Sequence, residues 1–192
     1  MSEPMRAWQR LLSGHERSGV RTPIATVFRC ADPGPPSEVV FDQRWGSVID
    51  VRTWGHVVDD GVLATLEYAV DILEVPLIVV LGHHDCAAMR AAMRAWEHAE
   101  LPDGAARSAV QHALWSIVRR GTPANSLDAV TAAHAVETGL ALIQRSPFIA
   151  ARVDERVCGI VCASTGPGDT GVHVHGTIGP VGESGEHLIE CV

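Results

Sequence analysis

Leu77-Ile78-Val79-Val80-Leu81-Gly82-His83-His84-Asp85-Cys86 decides how the chain is read. Pro76 opens an unbroken apolar run, the pattern of a strand buried on both faces of a parallel sheet. The run ends in a glycine, then His83 and Cys86. A second stretch has the same form upstream, with Ile24-Ala25-Thr26-Val27-Phe28 followed by Arg29-Cys30-Ala31-Asp32. In an open parallel α/β sheet the carboxyl ends of the strands form the functional rim. Cys30, His83 and Cys86 are therefore expected to converge there from two strands. Two soft thiolates and one imidazole suit zinc and leave one position open. Asp32 lies close enough to Cys30 to reach the metal or its water.

Composition narrows the class. The 192 residues suit one domain, read here as residues 1–192 with 1–18 as a peripheral N-terminal helix. A hydrophobic fraction of 46% is ample for a packed core. The formal charge of -8, with no basic stripe, argues against a nucleic-acid partner. No apolar run is long enough to span a bilayer, so no membrane partner is expected. Met1-Ser2-Glu3-Pro4 is polar and acidic, unlike a signal peptide. With 5 cysteines and no secretion signal, the thiols read as ligands or core residues in a reducing cytoplasm.

In chain order, Met5 to Leu12 predicts an amphipathic helix with Trp8, Leu11 and Leu12 on one stripe, packed peripherally or on a partner subunit. Pro33-Gly34-Pro35-Pro36 forms a kinked loop. Ser37 then caps a short helical turn. Ser47 to Arg52 is a strand and Val62 to Leu73 a helix. Helices follow over Cys86–Ala99, Ala106–Arg119 and Leu127–Gln144, the last capped by Ser126. Met89, Met93 and Trp96 are helix packing, not a cofactor box. Val157 to Cys162 is a strand, and Val172 to Ile178 pairs back as a hairpin. The sum is an α/β fold, a mostly parallel β-sheet flanked by helices with an antiparallel edge.

These residues resemble the β-class carbonic anhydrase family. That family places Cys-x-Asp-Ser-Arg after one strand and Gly-His-x-x-Cys after another. Gly82-His83-His84-Asp85-Cys86 keeps the second motif, and Cys30-Ala31-Asp32 keeps the start of the first. Glu38, Phe41-Asp42, Gly46, Val51-Arg52, Gly55 and Gly61 to Val70 also match. The resemblance implies Zn2+ held by Cys30, His83 and Cys86, and a homodimer. It implies hydration of carbon dioxide to bicarbonate by zinc-bound hydroxide, with Asp32 accepting its hydrogen bond or itself binding zinc.

The chain departs from the family around that centre. Pro33 and Gly34 replace the family's serine and arginine. The family's active-site glutamine aligns with Arg21, a candidate replacement cation for Asp32. Trp54 aligns with a small pocket residue, Ile49 with an aromatic one, and Tyr68 keeps the pocket tyrosine. A non-catalytic zinc-binding member of the fold, serving binding or assembly, is the alternative. Each residue also has an ordinary reading: Cys30 and Cys86 as core thiols, His83 as a turn residue, Asp32 as a loop cap. His84 and Asp85 read as solvated. His56 reads as a surface hydrogen-bonding residue, with proton shuttling as its alternative. Cys158 and Cys162 read as core, Cys191 as a tail thiol, and His173 and His175 as one strand face that could hold a second metal.

Overall fold

The apolar runs become neighbouring strands of one sheet. The structure, a computed structural model, describes residues 2–13, 22–167 and 171–181. Strands β1 (Ala25–Cys30), β2 (Val48–Thr53), β3 (Leu77–Gly82) and β4 (Gly159–Thr165) are parallel, and β5 (Val172–Ile178) pairs antiparallel to β4. The order is β2-β1-β3-β4-β5. From β1 the chain first builds outward to β2, then returns past β1 to β3. The strand order therefore reverses between β1 and β3, which opens a crevice at their carboxyl ends.

Both faces of the sheet are covered, as the continuous apolar strands require. On one face Ala25, Val27, Leu77, Val79 and Val161 are buried beneath α1 (Glu3–Ser13), which contributes Ala7, Trp8 and Leu11. This helix thus lies on its own sheet, with Leu11 only 1% exposed. On the other face Phe28, Ile78, Val80 and Ile160 pack beneath α3 (Asp60–Glu67), α6 (Leu127–Arg145) and α7 (Pro147–Asp154). Each such side chain contributes about 1.5–3 kcal/mol by leaving water. A third cluster joins α4 (Ala87–His98) and α5 (Ala106–Arg120) beside the strand ends, and both Cys30 and Cys86 belong to it. No helix among the described residues is long and apolar enough to cross a membrane.

Several boundaries differ from the sequence reading. Strand β1 includes Cys30 as its last residue. Strand β4 starts at Gly159, because Arg156 takes a positive φ of 62° and delays it. The helix expected over Val62–Leu73 begins at Asp60, since Asp59 caps it by accepting from Val62 N–H at 2.8 Å. After Glu67 it widens, and Leu73 N–H reaches back to Tyr68 O at 3.1 Å. Ser37 is the first residue of α2 (Ser37–Val40), not its cap, and its hydroxyl donates to Asp50 at 2.6 Å. Helix α7 was not expected. Only Ile149 and Val153 of it are buried, too few to mark a stripe.

Helix α6 approaches β4 closely at Gly139, where an added Cβ would lie 2.5 Å from Cys162 Sγ. Gly139→Ala is expected to cost about 1–3 kcal/mol by overpacking. Urea denaturation measures this, and Cys162→Ala added to it should recover part of the loss. Unchanged stability in Gly139→Ala would contradict the close approach.

Candidate metal centre

Cys30 ends β1, and His83 follows β3 directly, so the two arrive side by side at the crevice. A turn at His84-Asp85 then reverses the chain, with Asp85 at a φ of 59°. This brings Cys86 back at the N-cap of α4, its thiol turned toward Cys30 instead of capping the helix. Asp32 reaches in from the loop after β1. One ligand atom from each of Cys30, Asp32, His83 and Cys86 lies within 4.8 Å of all the others. Among the described residues no other group of this kind occurs.

The donor set fits a tetrahedral zinc. Two zinc–sulfur bonds of about 2.3 Å at the tetrahedral angle separate the sulfurs by about 3.8 Å. The Cys30 and Cys86 sulfurs are 3.8 Å apart. His83 Nδ1 lies 2.9 Å from His84 O, so it carries the hydrogen, and Nε2 presents its lone pair. That Nε2 is buried without a hydrogen-bond partner and is 3.5 Å from Asp32 Oδ2. The other claim on Asp32 Oδ2 is the Ala87 N–H at 2.7 Å, at the positive end of α4.

Without a cation the cluster competes for protons. The Cys86 S–H bonds Cys30, which holds the Cys30 thiol far below its usual range and pushes Cys86 far above. His83 is raised by the Cys30 sulfur first and also by Asp32, against its burial. A bound divalent cation replaces the shared protons and removes that competition.

A second layer holds Cys30 in place. The Gly55 N–H donates to Cys30 Sγ at 3.4 Å, and the Gly55 carbonyl accepts from His134 Nε2 at 3.0 Å. Gly55 has a φ of 67°, and a Cβ there would meet Ala88 and Ala109 at 2.9 and 3.0 Å. His134 Nδ1 pairs with Ser116 Oγ at 2.9 Å. His56 Nε2 pairs with Leu81 O at 3.1 Å, and its ring stands edge-on to Phe28 and His134. Burial pushes both imidazoles down, His134 to about 3. Arg52 clamps the ligand loop, donating to Cys30 O at 3.2 Å and Asp32 O at 2.5 Å.

The other expected residues fall in different places. Trp54 is half-buried against the cluster that holds both cysteines. Ile49 packs lower, beside the Phe28 cluster. Tyr68 is 52% exposed. Arg21 and Cys191 lie outside the described residues. His56 is not a surface residue: it is 3% exposed, because the left-handed turn at Gly55-His56 folds it inward. His84 and Asp85 face Asp128 and Arg90. Cys158 and Cys162 are buried thiols pushed up to about 12 by burial. His175 pairs with Ser164 at 2.7 Å. Arg52 and Gly55 entered the sequence reading only as family matches with no role assigned, and His134 and Ser116 escaped it. The available signal for His134 was a polar residue on the apolar stripe of α6, which calls for a buried partner.

Comparisons with known proteins point to one family. Residues 25–172 match the family model for carbonic anhydrase. A carbonic anhydrase of Mycolicibacterium smegmatis is 35% identical, over 95% of this chain and 98% of that protein. Carbonic anhydrase 2 of Mycobacterium tuberculosis is 34% identical with the same coverage. Among solved structures, a Coccomyxa β-carbonic anhydrase in complex with acetazolamide superposes with a TM-score of 0.67 at 20% identity, over 86% of this chain and 77% of that one. Tetrameric β-carbonic anhydrases of Sordaria macrospora give 0.68 at 18% identity, over 87% and 84%.

The buried histidines set a pH dependence. Their pKa values are lowered on folding, so below about pH 6.5 the unfolded chain binds protons that the folded chain refuses. Stability is then lost as pH falls, with His134 contributing down to about pH 3. The slope approaches about 1.4 kcal/mol per pH unit for His134 in that window, and His56 adds in the same direction. Urea midpoints between pH 7 and 5 are expected to fall more steeply in the native chain than in His134→Gln. Equal slopes would contradict the buried neutral imidazole.

Proposed function

The chain belongs to the carbonic anhydrase family, and from that premise we propose that it interconverts carbon dioxide and bicarbonate at a zinc ion held by Cys30, His83 and Cys86. The observation that carries this reading is the convergence of those three ligands with Asp32 at the β1–β3 crevice. When bound, zinc supplies a Lewis acid that makes water a usable nucleophile near neutral pH. The net reaction adds water to the carbon and releases one proton to solvent.

The chain's own residues prepare that reaction. Cys30 and Cys86 supply the thiolates, and Gly55 N–H steadies the first of them. His83 presents Nε2 because Nδ1 is committed to His84 O. With the fourth position open, Asp32 Oδ2 would accept the hydrogen bond of the attacking water, and the Ala87 N–H holds that carboxyl group in place. Trp54 gives the pocket an apolar wall that excludes bulk water. By the family resemblance Ile49 and Tyr68 belong to the same pocket. With Gly34 at the place of the family's arginine, Asp32 would close the fourth metal position at neutral pH and free it for water only at alkaline pH. A charge-assisted hydrogen bond of the kind lost there is worth about 1.5–3 kcal/mol, enough to favour the closed form by roughly tenfold or more.

A homodimer in a reducing cytoplasm completes the reading. The apolar side chains of Tyr68 and Ile72, 52% and 64% exposed, suit cover by a second copy. The unpaired thiols Cys30, Cys86, Cys158 and Cys162 suit that compartment. The closed Asp32 position and Trp54 beside the ligands favour a second reading, a zinc-binding member of the fold without turnover.

Elemental analysis is expected to find one zinc per chain, and Cys86→Ser to lose most of it. Undiminished zinc in that variant would sink the ligand assignment. In stopped-flow hydration of zinc-loaded protein at alkaline pH, the native chain should exceed Asp32→Ala by about tenfold or more. Equal rates would favour the non-catalytic reading. Light scattering should give the dimer mass, and a monomer at micromolar concentration would count against it.

A further inference from the structure

Behind Gly55, away from the crevice, a second cavity opens between α5 and α6. Its volume is about 330 Å³, at the lower end of small-molecule sites. His56, Trp115, Ser116, Arg119, His134 and Arg145 are among its lining residues. None of the four metal-centre residues lines it.

One lining residue holds a buried nitrogen without the partner its burial demands. His56 is 3% exposed, and its Nε2 meets a backbone carbonyl, which can only accept. The hydrogen is therefore on Nε2, and Nδ1 is left as an acceptor with no donor. The neighbouring His134 has both nitrogens engaged. A buried acceptor without a donor costs free energy that a hydroxyl or amine from a ligand can relieve.

The charge around the cavity calls for an anion. Glu137 is its one acidic lining residue, and it is already shared by Arg119 at 3.5 Å and Arg120 at 2.6 Å. Arg145 has the Val58 carbonyl and, at 3.7 Å, the fully exposed Asp60 carboxylate. Burial first, and the Arg145 charge second, lower His112 in the same wall. His112, Ser116 and Thr138 add neutral polar groups to the wall, and Val58, Trp115 and Ala141 form its apolar part. Trp115, 60% exposed, is the largest of these apolar residues.

We propose that this cavity binds a small hydroxy- or amino-carboxylate with a ring-sized apolar body. The carboxylate lies between Arg119 and Arg145, the hydroxyl or amine donates to His56 Nδ1, and the body packs on Trp115. The three groups of the ligand answer the cation excess, the orphaned acceptor and the apolar wall in turn. The Gly55 peptide separates this site from the metal centre, with its N–H on Cys30 and its carbonyl on His134.

Calorimetric titration of the zinc-loaded full chain with mandelate, the hydroxyl-bearing probe, tests this. One mandelate per chain is expected, with phenylacetate about tenfold weaker because it leaves Nδ1 unpaired. Arg119→Gln should weaken mandelate about tenfold at unchanged zinc content. The His56 Nδ1 nitrogen resonance should shift with mandelate and not with phenylacetate. Absence of mandelate binding at millimolar concentration, or equal affinity for the two acids, would overturn the proposal. So would binding indifferent to Arg119→Gln, since it would place the carboxylate elsewhere, the metal included. The readout is binding, so a chain without hydration activity leaves the result interpretable.

Discussion

Two sulfurs 3.8 Å apart must share a dry corner of the molecule with an imidazole and a carboxylate. Thiolates so close repel each other unless something positive lies between them. In the metal-free chain a shared proton does this, and a divalent cation does it better. The fold keeps the sulfurs close because each is fixed by a different rigid element, Cys30 by the end of β1 and Cys86 by the start of α4. The strand order β2-β1-β3 puts the crevice where those elements meet.

The support extends away from the metal. Gly55 donates to Cys30, His134 donates to Gly55, and Ser116 pairs with His134. The chain runs from the loop after β2 through α6 to α5. Buried polar groups in such a series stabilise the structure only while each has its partner. That explains why burial keeps these imidazoles neutral, and why a glycine stands at 55, where Ala88 and Ala109 leave no room for a side chain.

The parallel sheet and the convergence of Cys30, His83 and Cys86 were legible because they rest on local signals. Val79, Val80 and Leu81 form an unbroken apolar run, and His83 and Cys86 sit at a fixed distance behind it. Cys30 and Asp32 repeat that form after β1. The inward turn of His56 was not legible, because it depends on Gly55 and His56 both taking left-handed backbone and on α6 supplying His134. Helix α7 was missed because Ile149 and Val153 alone make no periodic stripe. The grip of Arg52 on the Cys30 and Asp32 carbonyls arises from register across β1 and β2, with Arg52 opposite Arg29. Of the stripe expected on α1, Trp8 and Leu11 are buried while Leu12 is 57% exposed, and only the tertiary packing decides that the helix lies on its own sheet.

The central claim is a metal centre of two sulfurs, one imidazole nitrogen and one carboxylate oxygen. X-ray absorption at the zinc edge of the loaded protein near pH 7 tests it most directly. The account predicts two sulfur scatterers at about 2.3 Å and two nitrogen or oxygen scatterers at about 2.0–2.2 Å. A shell with one sulfur or none, or one made of sulfur alone, would contradict it.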